Sequence, residues 1–116
     1  MKILIVDDSL NISRALEALL IPEGHEVIKA PDGFSALATF RRESPDLIFM
    51  DIDMPLLDGY KTTELIRSRS EVPIIFLSSN GTVFDQAKAK LVGGTDFIVK
   101  PFSKEGLLTV LSRHAS

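Results

Sequence analysis

Five times along this chain a short apolar run is followed by a stretch of helical spacing, and few folds accommodate that alternation. Residues 2–6 (Lys-Ile-Leu-Ile-Val), 46–50 (Asp-Leu-Ile-Phe-Met), 73–77 (Pro-Ile-Ile-Phe-Leu) and 96–99 (Asp-Phe-Ile-Val) are continuous apolar runs rather than alternating ones. Continuous runs suit strands covered on both faces, the condition of a parallel sheet. Residues 26–30 (Glu-Val-Ile-Lys-Ala) are more polar and read as an edge strand. Between the runs, Ile12, Ala15, Leu16, Leu19 and Leu20 recur at the spacing of one buried helical face, which Pro22 and Gly24 then close. Asp32-Gly33 opens a second helix carrying Phe34, Leu37 and Phe40. Asp58 caps a third that runs through Leu65 and Ile66. Phe84, Ala87 and Leu91 mark a fourth, closed by Gly93-Gly94. Ser103 caps a fifth containing Glu105, Leu107, Leu108 and Leu111. Five such βα units imply right-handed crossovers and a doubly wound α/β sheet with helices on both faces.

In an open parallel sheet the ligand crevice lies outside the carboxyl ends of the strands, where strand order reverses. The chemistry-bearing residues fall at those ends. Asp7-Asp8 follow the first strand, Asp51 ends the third, Ser78 the fourth and Lys100 the fifth. Three carboxylates in one crevice repel one another, and a hard divalent cation such as Mg2+ removes the conflict. Asp8 and Asp51 are the expected direct ligands, with Asp7 acting through water. A carboxylate at Asp51 is also a nucleophile able to form an aspartyl phosphate. Lys100 supplies a fixed cation beside developing phosphoryl charge, and Ser78 a hydroxyl. Each residue alone has a plainer reading: Asp7-Asp8 as helix caps, Asp51 and Ser78 as turn residues, Lys100 as a surface partner for an acid. It is their coincidence on one rim that favours phosphoryl chemistry.

Bulk properties narrow the classes further. With 116 residues, one domain is the capacity of the chain, and 45% hydrophobic with 25% charged residues argues against disorder. A net charge of −3 and the lack of a dense Lys/Arg cluster argue against a nucleic-acid surface. There is no cysteine, hence neither a disulfide nor a thiolate site. The N-terminus lacks a signal-peptide pattern and no run spans a bilayer, so a cytoplasmic protein without membrane attachment is expected. His25, His114, Arg41-Arg42, Lys88 and Lys90 read as solvated surface residues.

Taken in order, Ile5-Val6-Asp7-Asp8-Ser9, the run from Pro45 to Pro55 (Pro-Asp-Leu-Ile-Phe-Met-Asp-Ile-Asp-Met-Pro), Asp58-Gly59, Pro73-Ile74-Ile75-Phe76-Leu77-Ser78 and Lys100-Pro101-Phe102 resemble a response-regulator receiver domain of two-component signalling, over essentially the whole length. The resemblance implies a flavodoxin-like (βα)5 fold with strand order 2-1-3-4-5. It implies that Asp51 accepts a phosphoryl group from a phosphohistidine on a histidine kinase or phosphotransfer protein. Mg2+ would be held by Asp8, Asp51 and the backbone carbonyl of Asp53, with Asp7 in the outer shell. Ser78 would move to the phosphoryl, Phe97 on the fifth strand would turn inward, and the Lys100-Pro101 bond would be cis. Phe97 stands where Tyr is more frequent and lacks its hydroxyl, Ser79 stands where Ala is common, Asp53 adds a carboxylate near the site, and Ser35 replaces a common Glu.

Residues 78–85 and 88–96 further resemble single-domain receivers of type IV pilus chemosensory systems. On this reading residues 1–116 are a single receiver domain without an output domain. It acts as a phosphoacceptor rather than an enzyme, signals by binding an output protein, and is monomeric or dimerises on phosphorylation. Two other classes share parts of the pattern. Asp51-Ile52-Asp53 has the carboxylate spacing of haloacid-dehalogenase-type phosphohydrolases, although that motif belongs after the first core strand. The helix–sheet pattern also suits a flavin-binding electron carrier, but Asp7-Asp8-Ser9 would repel a phosphate without a metal. A receiver-like scaffold that never accepts phosphate is disfavoured by the intact acidic set.

Overall fold

The computed structural model describes residues 1–114. Its elements follow the alternation: β1 (Lys2–Val6), α1 (Leu10–Leu20), a single 3-10 turn (Ile21–Glu23), β2 (Glu26–Ala30), α2 (Gly33–Glu43), β3 (Leu47–Asp51), α3 (Gly59–Arg67), β4 (Ile74–Ser78), α4 (Val83–Leu91), β5 (Asp96–Val99) and α5 (Lys104–His114). All strand pairings are parallel, in the order β2-β1-β3-β4-β5, the doubly wound arrangement the sequence implies. β2 is indeed an edge, its first four residues only partly covered.

Each inner strand sends alternate side chains to two separate cores. Leu4, Val6, Ile48, Met50, Ile74 and Phe76 pack against Ala36 of α2, Tyr60 and Ile66 of α3, and Ala89 of α4. Ile3, Ile5, Leu47, Phe49, Ile75, Leu77 and Ile98 meet Leu16 and Leu20 of α1 and Leu107 and Leu111 of α5. Burial on both faces is why these strands are apolar throughout.

Helix starts follow the expected chemistry. Ser9, Asp32, Asp58 and Thr82 each accept a hydrogen bond from the backbone N–H three residues on. Three expectations shift. β3 and β4 begin and end one residue later than the apolar runs suggest, so Asp51 and Ser78 are the last residues of their strands. Phe34 points outward at the start of α2, whose buried face is Gly33, Ala36 and Thr39. α4 differs most: Val83, Phe84 and Leu91 are 85%, 75% and 86% exposed, and Ala89 is its only fully buried residue. The apolar stripe that reads as a buried face is turned to the outside.

Candidate functional site

β1 and β3 are neighbours in the sheet, yet their following helices lie on opposite faces, which leaves a crevice between their carboxyl ends. Asp7, Asp8 and Asp51 meet there, each offering a carboxylate oxygen within 4.8 Å of the others. Asp7 and Asp51 are buried and Asp8 is exposed at the mouth. Asp7 is held from two sides. Its Oδ1 accepts from the Ser9 backbone N–H at 2.8 Å, and its Oδ2 accepts from Lys100 Nζ at 3.0 Å. Lys100 also donates to Asp51 Oδ1 at 3.2 Å. One ammonium thus bridges two of the three acids, and the pairing that served as the plain reading of Lys100 is present in full.

Lys100 reaches the crevice because its backbone N–H donates to the Ser78 carbonyl at 2.7 Å, fixing the end of β5 beside β4. The Lys100-Pro101 bond is cis, as the family resemblance implies. On the other side Gly59 begins α3 against β3. A Cβ on Gly59 would collide with the Asp51 carbonyl oxygen, so only glycine lets α3 start there.

Burial, then the neighbouring Asp7 charge, pushes the Asp51 carboxyl up to about 6, with Lys100 partly opposing and Asp8 adding to the rise. Burial works against the Lys100 ammonium, but its bonds and attraction to Asp7 and Asp51 outweigh this and hold its pKa above the ordinary value. The site is therefore short of positive charge, with one cation among three carboxylates. Its donors are all hard oxygens, one exposed to incoming ligand, which is the donor set a hydrated Mg2+ takes. The residues present fit that ion.

The remaining expected residues are placed as follows. Ser78 is buried, and its hydroxyl donates to the Asn80 carbonyl at 2.8 Å while accepting from the Asn80 N–H at 3.0 Å. It closes the β4–α4 loop on itself and does not touch the acids, a role for Asn80 that its turn-forming neighbour Gly81 hints at. Phe97 is half-buried against the α2–α4 core and lines a groove of about 550 Å³ between α4 and β5. Asp53 is exposed beyond β3, and its carboxylate is outside the three-acid cluster. Two surface readings need correction. His114 is not solvated and unpartnered, for its Nε2 lies 2.9 Å from Asp96 Oδ2 at the start of β5. Lys88 is not merely a solvated helix face, for its Nζ stands 4.6 Å from the centroid of the Tyr60 ring. His25 Nδ1 lies 3.1 Å from the N-terminal amine.

The model of the response regulator receiver domain matches residues 3–112. The chain belongs to that family. It is 46% identical over 117 residues to protein PilG of Pseudomonas aeruginosa, covering 98% of this chain and 87% of that protein. It is also 46% identical over 106 residues to the probable transcriptional regulator ycf27 of Galdieria sulphuraria, of which it spans only 42%. Among solved structures it is similar to the chemotaxis protein CheY4 of Vibrio cholerae, with a TM-score of 0.92 and 35% identity over 97% of both chains. The receiver domain of NtrX from Brucella abortus gives a TM-score of 0.90 and 36% identity, covering 97% of this chain and 96% of that one. Family membership makes this a signalling module of two-component systems, and decides against the dehalogenase-type hydrolase and the flavin carrier. Among the described residues no helix is long and apolar enough to cross a membrane.

Proposed function

We propose that residues 1–116 act as a single receiver domain in which Asp51 is the phosphoacceptor and Asp7, Asp8 and Asp51 hold Mg2+, with the Asp53 carbonyl completing the protein ligands. The observation that carries this reading is the buried Lys100–Asp7–Asp51 bridge beside an exposed third acid. When bound, Mg2+ would neutralise charge on the carboxylates and on the incoming phosphoryl oxygens. Asp51 attacks phosphorus through a carboxylate oxygen; the P–O bond forms as the P–N bond of a phosphohistidine breaks, and the departing imidazole takes a proton. Lys100 exchanges its contact with Asp51 for one with a phosphoryl oxygen while keeping Asp7. Positioning and charge stabilisation are most of what such a transfer requires of a protein.

Ser78 then leaves Asn80 for the phosphoryl, and the β4–α4 loop rearranges with it. Phe97, with no hydroxyl, responds through packing alone in the α4–β5 groove. The product is a shifted population of two conformers, read in the cytoplasm by an output protein. Identity to PilG over nearly the whole chain supports the resemblance to pilus-type chemosensory receivers, and a chemotaxis protein among the structural neighbours agrees with it.

Borohydride reduction after treatment with acetyl phosphate and Mg2+ tests the assignment, because it converts an aspartyl phosphate to homoserine. Peptide mass mapping should find homoserine at position 51 and at no other aspartate; homoserine at 7, 8 or 53 instead would displace Asp51 from the role.

A further inference from the structure

α4 has little apolar contact with the body of the domain. Ala89 is its one fully buried side chain, and Val83, Phe84 and Leu91 face outward. Beside its packing on β5, α4 is reached from α3 by hydrogen bonds and a cation over a ring. At one end of α3, Tyr60 is buried and its ring packs on Phe76 of β4 with centroids 5.4 Å apart. Lys88 Nζ stands 4.6 Å from the centroid of the same ring, and the phenol hydroxyl donates to the Asp85 carbonyl in the first turn of α4 at 3.4 Å. That is long for a hydroxyl–carbonyl bond and therefore weak.

Seven residues on, and so on the same side of the helix, Arg67 reaches the far end of α4. Its Nε donates to the Gly93 carbonyl at 2.7 Å, Nη1 to the Ser70 carbonyl at 3.2 Å, and Nη2 to Thr95 Oγ1 at 3.3 Å. Thr95 Oγ1 in turn accepts from the Ile74 N–H at 2.9 Å, tying this turn to the start of β4. Gly93 itself sits at φ +97, with Arg67 against its open side. The turn after α4 is thus held by the short Arg67–Gly93 bond and by Thr95, whereas α3 holds the helix itself by one weak bond to Asp85 and by Lys88 over the Tyr60 ring.

We propose that α3 carries both a hinge and a latch for α4: Arg67 fixes the Gly93 turn, Tyr60 holds the first half of the helix by a yielding contact, and release of that contact carries modification of Asp51 to the exposed stripe of Val83, Phe84 and Leu91. This rests on the receiver reading above. Two routes connect the latch to the site. α3 starts flush on the Asp51 carbonyl at Gly59, next to Tyr60. Phe76, which the Tyr60 ring touches, is the β4 residue paired with Phe97 in the sheet and lies two positions before Ser78.

Amide hydrogen exchange over residues 83–95 tests this in the unmodified protein first. Tyr60→Phe should speed exchange in residues 83–88 by about fivefold, the loss of one modest hydrogen bond, and leave residues 92–95 unchanged. Lys88→Gln, at an exposed position that does not threaten folding, should act in the same direction. Exchange equal to wild type in both variants overturns the latch. Acetyl phosphate with Mg2+ should then speed residues 83–88 in the wild type, add little in Tyr60→Phe, and change tyrosine emission, which reports Tyr60 alone because the chain has one Tyr and no Trp. Intact mass on the same samples separates the two ideas. Labelled protein with an unmoved α4 overturns the latch and leaves Asp51 standing; protein that takes no label overturns both.

Discussion

Asp51 is a carboxylate placed where a carboxylate is costly. Its pKa is raised from 3.8 to about 6, by burial first and by Asp7 second. The folded state therefore binds this proton more tightly than the unfolded chain does. The resulting stabilisation is complete below about pH 4 and is lost as pH rises through about 6. At neutral pH without metal, Asp51→Asn should be the more stable protein, on the order of 1 to 3 kcal/mol, since Lys100 keeps Asp7 as its partner. Thermal melts in chelator at pH 7.5 and pH 4 check this: the difference should shrink at pH 4, and Mg2+ should raise the wild-type Tm more than that of the variant. Leu56 is 85% exposed with φ +70 in the loop after β3. A leucine in the left-handed region costs about 1 to 2 kcal/mol, partly offset by glycine's greater freedom in the unfolded chain, so Leu56→Gly should raise the unfolding free energy from urea titration by up to about 1 kcal/mol.

At the scale of elements, what a sequence can reveal depends on whether a side chain's fate is set by its own segment. The strands were legible because burial on both faces makes each one apolar throughout, and all five helix starts carry a hydroxyl or acidic residue that accepts from the backbone N–H three residues on, Ser103 of α5 included. The one-residue offset of β4 has a local cause. Pro73 has no N–H to give the ladder, yet its carbonyl still accepts from Ile48 at 2.9 Å, so the run starts one residue ahead of the strand. α4 was legible as a helix but not as an outward-facing one, because an apolar stripe looks alike whether it meets a core or a partner. Phe84→Ala and Leu91→Ala should accordingly change stability by less than about 0.5 kcal/mol, whereas Leu107→Ala, buried under the sheet, should cost about 2 to 5 kcal/mol. Urea unfolding midpoints of the three variants decide it. Of the candidate site, the acids and Lys100 could be read because they end a strand or directly follow one. Tyr60 and Arg67 could not, since they bond main-chain carbonyls of α4 and of the turn after it, which carry no residue-specific signal.

For the whole molecule, one sheet joins three operations. The ends of β1, β3 and β5 gather charge into the crevice, β4 delivers a hydroxyl beside it, and α4, thinly packed on the far side of β4, presents an apolar stripe outward. Charge at the rim and packing at α4 are coupled because α3 begins on the Asp51 carbonyl and ends on the Gly93 turn. On the proposed reading, Asp51 accepts a phosphoryl group with Mg2+ as the counter-charge. Intact mass spectrometry of the wild type and of Asp51→Asn, each with acetyl phosphate and with or without Mg2+, tests it most directly. A single transient phosphoryl addition should appear only in the wild type and only with Mg2+. Equal labelling of Asp51→Asn, or labelling of the wild type that is indifferent to Mg2+, would contradict it.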